Sequence, residues 1–427
     1  MLSAPNQPVL IVWEHGGQLG HLARLIPVAQ ALRARGYPVL VATPNPAAMR
    51  PYFEYAGVVL VSIPQVSMLQ ATRHSAAVSS LLCPADILLH CGFANPVDAQ
   101  VCVVQWLALF DQCRPCAVLV DASPMAQYAA ALAGLHMVVL GHGFELPPPV
   151  PGLSFAPWMA GTETAKAAIA ESEEKLASAL AALGHRLKAG GSVRPVDTGG
   201  LLNPSQHALC TWPELDHFDR TLPEPAYIGP IWHMLPTATA VPWPDKPGPK
   251  VLCYLKLVDK LHDFLWRALN KRQANVVVVS PASLPWACDA ARGWGITVYT
   301  QAIEINALLP ECDAVVSNGG MGLTSIALHA GKPLMLLPTQ LEQALLAYQL
   351  LRRALAVSTM RHQNQAQVQA RLDQLLHDAE LKQRAASFAA GYAWFNPQMA
   401  VCRLLDTLVG CVTDEITKTT KRNTPPC

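Results

Sequence analysis

Short apolar runs alternate with longer helical patterns along most of the chain, and this alternation constrains the fold more than any other feature. An apolar run at 8–13 is followed by a glycine-rich loop and then by apolar residues at helical spacing up to Gly36. Further runs that predict strands lie at 38–42, 58–63, 117–120, 136–140, 250–255, 275–280, 297–300, 314–317 and 333–337. Strands alternating with helices form parallel sheets with helices on both faces, so the chain is predicted to be an α/β protein.

Two such series are present, and proline-rich sequence separates them. A length of 427 residues is enough for two or three domains with complete cores. We therefore predict two doubly wound, Rossmann-like domains facing each other across a cleft. The predicted segments are an N-terminal domain at 1–230, a linker at 231–249, a C-terminal domain at 250–390, a C-terminal helix packing back toward the N-terminal domain at 391–412, and a disordered tail at 413–427.

Composition excludes some classes of protein. The formal charge is +1 and no basic block is present, so nucleic acid is not an expected partner. Charged residues are 14% of the chain, against about 25% in typical proteins, which favours large buried cores and a peripheral contact with membranes. The uncharged stretch 122–144 is long enough to span a membrane, but its pattern predicts a helix, a glycine and then a strand.

The N-terminus and the cysteines bear on the compartment. The N-terminus lacks the basic region of a signal peptide, so a cytoplasmic location is expected. The twelve cysteines are scattered, which is typical of reduced thiols. Cys113 and Cys116 form a CxxC motif without a second pair, so we interpret them as structural residues.

A glycine-rich turn connects the predicted strand 314–317 to a short predicted helix ended by Gly331. Amide groups near Gly319, Gly320 and Gly322 would be unpaired there, beside the positive end of the helix dipole. Such a turn binds phosphate, so we expect a nucleoside diphosphate as ligand. The alternative is a turn that only tightens the packing of strand and helix.

The segment from Asn318 to Gln343 resembles the donor-binding signature of the UDP-glycosyltransferase superfamily, which has the GT-B fold. The first loop, with Gly20, His21 and Arg24, and the motif at 227–230 are also similar to this family. The resemblance covers most of the chain. Its matching residues in the signature are Gly320, Thr324, Gly331, Pro333, Pro338, Glu342 and Gln343.

The resemblance implies an inverting glycosyltransferase that needs no metal and no separate cofactor. It would move a sugar from a UDP- or dTDP-sugar, bound by the C-terminal domain, to a hydroxyl of a small-molecule or lipid acceptor bound by the N-terminal domain. An apolar acceptor is expected because the region 66–110 is rich in apolar residues, including Trp106. Core packing of those residues is the alternative.

The resemblance implies that His21 is the catalytic base. Independently, an imidazole beside a helix N-terminus is favoured in its neutral form, which accepts a proton. Asp121, at the end of the predicted strand 117–120, would hold the tautomer of that imidazole. Alternatively, His21 caps its helix and Asp121 binds nearby backbone.

For the donor, Glu342 and Gln343 would bind sugar hydroxyls, although both residue types are also ordinary at a helix start. Gln301, in the loop after the predicted strand 297–300, is a further candidate nucleotide contact and is expected near the base.

Two residues depart from the family pattern. Asn318 replaces a histidine that contacts phosphate; its amide can still donate to the diphosphate but brings no positive charge. Ile326 replaces a glutamate that binds ribose. The nucleotide is then held differently, is a deoxyribose nucleotide such as dTDP, or is not bound. Lys256 would supply the missing charge near the phosphates, unless it is an ordinary solvated lysine.

Two rivals to the transferase remain. One is a non-catalytic GT-B protein that binds or activates a partner enzyme. The other is a nucleotide-sugar epimerase of the same fold, which would need more carboxylates in the cleft.

Overall fold

The chain forms two compact units in the computed structural model, which describes residues 7–15, 19–64, 81–158, 160–188, 196–220, 226–257, 262–281, 283–359 and 364–410. The first unit comprises the chain up to Cys210, Phe218–Ile231 and the chain from Pro397. The second comprises Thr211–His217 and Trp232–Asn396. Each unit contains one six-stranded sheet.

All strands of the first sheet are parallel, and their order is β3-β2-β1-β4-β5-β6. This is the usual strand order of a Rossmann fold, in which the direction of winding reverses between β1 and β4. Trp13 and Asp121 are paired at the carboxyl ends of these two strands. The strands are β1 Val9–Trp13, β2 Val39–Thr43, β3 Val59–Ser62, β4 Ala117–Asp121, β5 Met137–Gly141 and β6 His207–Leu209.

The second sheet repeats this topology with the order β9-β8-β7-β10-β11-β12, again all parallel. Its winding reverses between β7 and β10, where Tyr254 and Ser317 are paired at the carboxyl ends. The strands are β7 Lys250–Tyr254, β8 Asn275–Val279, β9 Thr297–Tyr299, β10 Ala314–Ser317, β11 Leu334–Leu336 and β12 Ala356–Ser358.

Helices follow most of the strands. In the first unit they are α1 Leu19–Ala34, α2 Pro46–Phe53, α3 Pro84–Leu88, α4 Pro96–Cys113, α5 Pro124–Leu132, α6 Glu163–Lys188, α7 Thr198–Leu202 and α15 Pro397–Leu405. In the second they are α8 His262–Lys271, α9 Pro285–Gly293, α10 Ile305–Leu308, α11 Met321–His329, α12 Leu341–Arg352, α13 Gln365–His377 and α14 Ala379–Gly391. Short 3₁₀ or π turns lie at Glu54–Ala56, Leu89–Phe93, Pro213–Leu215, Leu309–Glu311 and Asp406–Gly410.

Both faces of each sheet are buried, as expected for a doubly wound fold. Alternate strand residues such as Leu10 and Val120 belong to a core that includes Trp106 and Phe110 of α4. Their neighbours, such as Ile11, are equally buried toward the opposite face. The predicted α/β class with two Rossmann-like domains is therefore confirmed.

The uncharged stretch 122–144 contains α5 followed by β5, which confirms the helix and strand predicted there. No single helix in the described ranges has the length and hydropathy of a membrane span. One bent pair, Pro84–Phe93 and Pro96–Cys113, meets those two criteria jointly at an angle of 73°.

The proline-rich segment 231–249, predicted as a linker, is held along the second unit. The Asn275 amide donates to the Pro244 carbonyl at 2.7 Å, and the Trp243 indole donates to the Leu308 carbonyl at 3.1 Å. Within the first unit, the turn after α15 is fixed by His136, whose Nε2 lies 2.8 Å from the Leu408 carbonyl. The predicted tail 413–427 lies outside the described residues.

Candidate active site

The carboxyl ends of β1 and β4 bring His21 and Asp121 together. His21 lies in the first turn of α1, and its Nδ1 is 3.2 Å from both carboxylate oxygens of Asp121. Trp13, the last residue of β1, stacks on the imidazole with ring centroids 5.2 Å apart. Asp121 is fully buried, whereas the His21 side chain is 15% exposed, so the imidazole is the accessible end of the pair.

Arg24 lies one turn after His21 and binds two carboxylates at once. Its Nε donates to Asp121 Oδ2 at 3.0 Å, and its Nη2 donates to Asp121 Oδ1. Its Nη1 and Nη2 also donate to the two oxygens of Glu145, at 3.0 and 2.7 Å. The guanidinium therefore links Asp121, at the end of β4, to Glu145, in the loop after β5.

Glu145 was not predicted from the sequence. It lies four residues after Gly141, the last residue of β5, and a Cβ at Gly141 would lie only 2.8 Å from Glu145 Cβ. The glycine thus permits the loop to fold back so that the backbone N–H of His142 donates to Glu145 Oε2 at 3.0 Å. An acidic residue just after a predicted strand was the only available signal, and it is a weak one.

The cluster around His21 combines one guanidinium with two carboxylates. Burial acts to raise the pKa of Glu145, but Arg24, His142 and His21 lower it more, so its pKa lies well below the usual range. Burial acts to lower the pKa of Arg24, but the two carboxylates raise it further above its ordinary value. With a neutral imidazole, His21, Arg24, Asp121 and Glu145 together carry a net charge of −1, and protonation of His21 makes the sum zero.

The hydrogen bonds also indicate which imidazole nitrogen accepts that proton. Arg24 Nη2 is 3.0 Å from His21 Nδ1. The two hydrogens on Nη2 are directed at Asp121 and Glu145, so Nη2 does not donate to the imidazole. We therefore assign the Nδ1 hydrogen to His21, donated to Asp121. His21 Nε2 then carries a free lone pair, and no hydrogen-bond partner for it is found in the part of the chain that the structure describes.

His21, Asp121 and Glu145 also offer metal-ligating atoms within 4.8 Å of one another. The Arg24 guanidinium already donates to both carboxylates, so it fills the position of a cation between them. The two carboxylates therefore bind a positive side chain of the protein itself.

Trp106 does not line a binding surface, contrary to the expectation for the region 66–110. It is fully buried, and its indole donates to Glu14 Oε1 at 2.6 Å. The Glu14 carboxylate also accepts from the backbone N–H groups of Met125 and Ala126, at the start of α5. Core packing therefore explains Trp106, and residues 66–80 of the region lie outside the described residues.

In the second unit, the glycine turn predicted to bind phosphate joins β10 to α11. Gly319 has a φ of +89°, which favours glycine, and its N–H donates to Ser317 Oγ at 3.1 Å. The first backbone hydrogen bond of the helix runs from the Thr324 N–H to the Gly320 carbonyl at 3.1 Å. Among the described residues, the N–H groups at 320–323 have no such partner, so the open donors begin at Gly320 rather than at Gly319.

Space is available beside these donors. A Cβ added at Gly320 or Gly322 would have no heavy atom within 4 Å, whereas one at Gly319 would lie 3.5 Å from the Gln343 carbonyl. The turn is thus closed at its first glycine and open at the next two. An anion can approach the exposed start of α11 without displacing a side chain of this unit.

Asn318 has a structural role beside this turn. Its Nδ2 donates to the Leu337 carbonyl at 2.9 Å, and its Oδ1 accepts from the Lys256 N–H at 2.8 Å. The amide therefore ties together the loops after β7, β10 and β11. The Lys256 backbone is held beside the turn, and its side chain is exposed.

The predicted sugar-binding pair lies at the start of α12. Gln343 Oε1 accepts from the N–H and the hydroxyl of Thr339 at 2.9 and 3.1 Å. Glu342 Oε1 lies 3.5 Å from Nε2 of the buried His217. Each side chain is fixed at the carboxyl side of the sheet, and sugar binding by them stays a prediction.

Gln301 is exposed in the loop after β9, at the edge of the second sheet. β9 is three strands from β10, which corresponds to about 14 Å at the usual strand spacing. Gln301 is thus separated from the glycine turn by the width of these strands, and its contact with the nucleotide stays a prediction.

No protein-family model matches the chain, and no curated protein matches its sequence. Solved structures match nearly its whole length. The kitacinnamycin glycotransferase is 18% identical, with a TM-score of 0.67 and coverage of 95% of this chain and 100% of its own. Glycosyltransferase VinC, solved in complex with dTDP, is 18% identical, with a TM-score of 0.65 and coverage of 94% and 99%. The glycosyltransferase SsfS6 of Streptomyces sp. SF2575 is 22% identical, with a TM-score of 0.58 and coverage of 94% and 100%.

At these identities, the likeness concerns the fold. It agrees with the strand order of the two sheets and with the resemblance noted in the sequence. The chain therefore has the fold of these glycosyltransferases, the GT-B fold.

Proposed function

We propose that this protein is a nucleotide-sugar-dependent glycosyltransferase that inverts the anomeric carbon and requires no metal. The observation that carries the proposal is the buried Asp121 carboxylate holding His21 Nδ1 while His21 Nε2 is left without a partner in the described residues. This is the arrangement of a general base oriented by a carboxylate. The fold shared with glycosyltransferases and the open glycine turn of the second unit support it.

In the proposed reaction, His21 Nε2 removes the proton of an acceptor hydroxyl. The acceptor oxygen then bonds to the anomeric carbon as the bond from that carbon to the diphosphate oxygen breaks. The proton remains on His21, where the negative charge of the cluster around Arg24 stabilises it. A single displacement inverts the anomeric centre, and no nucleophilic side chain is needed.

The leaving diphosphate would be stabilised at the start of α11. The unpaired N–H groups from Gly320 onward point out of the helix, where the helix dipole favours negative charge. Lys256, held beside the turn by Asn318, would add one positive charge. Glu342 and Gln343 would bind hydroxyls of the transferred sugar, with no separate cofactor.

A dTDP-sugar is favoured over a UDP-sugar as donor. Ile326, half-buried on α11, cannot accept a hydrogen bond from a ribose 2′-hydroxyl. Several of the solved neighbours, namely VinC, SsfS6 and SpnG, were obtained with dTDP. The acceptor is proposed to be a small molecule or lipid with an apolar body.

One observation favours the accessory alternative. The Asn318 amide carries no charge, and its Oδ1 and one Nδ2 hydrogen bind backbone, which leaves one N–H for phosphate where the family has a histidine. The loss of the histidine at this position is what we would expect in a protein that binds no nucleotide, or that binds a nucleotide-sugar without turning it over.

The experiment that separates these functions measures binding and turnover independently. Thermal shifts with dTDP and UDP report binding, and release of the diphosphate from dTDP- and UDP-hexoses reports turnover. We expect dTDP to stabilise the protein more than UDP does. His21→Gln should slow diphosphate release by about 10²–10⁴-fold without changing the dTDP shift, whereas the control His185→Gln, on the exposed surface of α6, should change neither. A dTDP shift without turnover in the native protein would support the accessory role and refute the transferase.

A further inference from the structure

We propose that Glu145 is a positioning residue for His21. It binds Arg24, and its negative charge allows His21 to take the proton of the acceptor hydroxyl. This inference rests on the transferase function proposed above. It differs from the role of Asp121, because Glu145 reaches the imidazole through a shared guanidinium rather than directly.

The geometry makes Arg24 common to two carboxylates. Four of its N–H bonds are used, two toward Asp121 and two toward Glu145. The Arg24 guanidinium is nine-tenths buried, and the ligating atoms of His21, Asp121 and Glu145 lie within 4.8 Å of one another. A change of charge at Glu145 is therefore felt at the imidazole with little screening by water.

The sum of charges shows why a second carboxylate is needed. Arg24 and Asp121 alone form a neutral pair, so a proton on His21 would leave a buried site with a net charge of +1. With Glu145 ionised, the same proton brings the site to zero. Glu145 thus offsets the guanidinium that orients Asp121, and Asp121 can still stabilise an imidazolium.

Other titratable or charged groups near this cluster include Glu14, whose buried carboxylate binds the Trp106 indole and the N–H groups at the start of α5. Three further groups do not supply that negative charge. Burial raises the pKa of the Cys210 thiol, just after β6, to about 11, so it stays neutral. His142 Nε2 lies 3.7 Å from Glu145 Oε2, and a proton on it would add positive charge. Arg220 donates to the Gly143 carbonyl in the same loop at 3.4 Å and is likewise positive.

Two substitutions test the inference because they shift the charge in opposite directions. Glu145→Gln removes a negative charge but keeps an oxygen for Arg24, and Arg24→Gln removes the positive charge. The pH titration of the His21 ring signals is followed by NMR in histidine-labelled protein, with the signals assigned by their loss in His21→Gln. The acid limb of kcat/KM for diphosphate release is measured in parallel.

We expect Glu145→Gln to move the midpoint of the His21 titration down by about one to two pH units, and Arg24→Gln to move it up. The control Glu171→Gln removes an exposed carboxylate that pairs with Lys175 on α6, and it should leave the midpoint unchanged. If one variant does not fold, the direction of the other still decides. Midpoints that stay in place, or that move in the same direction in both variants, would overturn the inference.

The two readouts also distinguish this inference from the proposed function. Opposite shifts of the midpoint without any donor turnover would support the role of Glu145 in the cluster and refute the transferase. Turnover that falls in Glu145→Gln with an unchanged midpoint would support the transferase and refute the role of Glu145.

Discussion

Replacing Gly322 by alanine should strengthen the fold and weaken nucleotide binding. Gly322 is the second residue of α11, and a Cβ there would have no heavy atom within 4 Å. Its φ is not in the left-handed region, so alanine adopts the native conformation without strain. A Gly→Ala change at such a position stabilises a protein by about 0.4–1 kcal/mol, mainly by restricting the unfolded chain.

The same methyl group would obstruct the proposed diphosphate. The Cα–Cβ bond of a helical residue tilts toward the helix N-terminus, which here is where the open N–H groups point. Displacing the diphosphate from one such donor loses a hydrogen bond to a charged group, worth about 1.5–3 kcal/mol. Affinity for dTDP should therefore fall by about 10- to 100-fold, while Tm rises by about 1–4 °C.

The assay is a thermal unfolding series with and without dTDP, together with calorimetric titration of dTDP. Gly293→Ala is the matched control, because Gly293 is helical, exposed and also without a heavy atom within 4 Å of its added Cβ. We expect the control to raise Tm comparably and to leave dTDP affinity unchanged.

The reasoning is refuted if Gly322→Ala binds dTDP as tightly as the native protein. The start of α11 would then not be the diphosphate site, and the open space beside Gly320 and Gly322 would be only exposed surface. A lower Tm in the variant would instead contradict the stability argument.

Two further predictions concern charge. Lys256→Ala should weaken dTDP binding by about 1.5- to 5-fold in low salt, as expected for one exposed charge. Lys256→Arg keeps the charge and should bind dTDP as the native protein does. Equal affinities of the native and alanine proteins at every salt concentration would show that Lys256 is not part of the site. Because the pKa of Glu145 is lowered in the folded protein, its ionised form stabilises the fold above the ordinary carboxyl pKa, and this stabilisation is lost as the pH falls below it. Urea unfolding at pH 6, 4 and 3 should show the stability difference between native protein and Glu145→Gln shrinking toward acid pH, and a constant difference would contradict this.

Local patterns predicted much of the fold. Runs such as those containing Val9–Trp13 and Asn275–Val279 are apolar and β-branched, and they became buried central strands. The edge strands β6 and β12 were missed, whereas β9 and β11, which also have three residues each, were predicted. The proline-rich segment was expected to be a linker because a sequence shows proline content but not the side chains, such as Asn275, that bind its carbonyls.

The candidate site was predictable where residues follow strands directly. His21 and Asp121 could be assigned to the ends of β1 and β4, and parallel pairing then brings them together. Glu145 could not, because its contact with Arg24 depends on how the loop after β5 folds back at Gly141. Likewise, an amide such as that of Asn318 suits phosphate or backbone equally, and only its neighbours in space show that it binds Lys256 and Leu337.

Residues close together in the chain specified most of the strands and helices and the glycine turn, because these depend on side-chain periodicity and on backbone freedom within a few residues. The tertiary structure alone decided the charge around His21, because electrostatic interactions depend on distance in space and on burial rather than on order in the chain. The order of residues in the chain does not show that Arg24 is shared by two carboxylates, and only their positions in the folded protein reveal it.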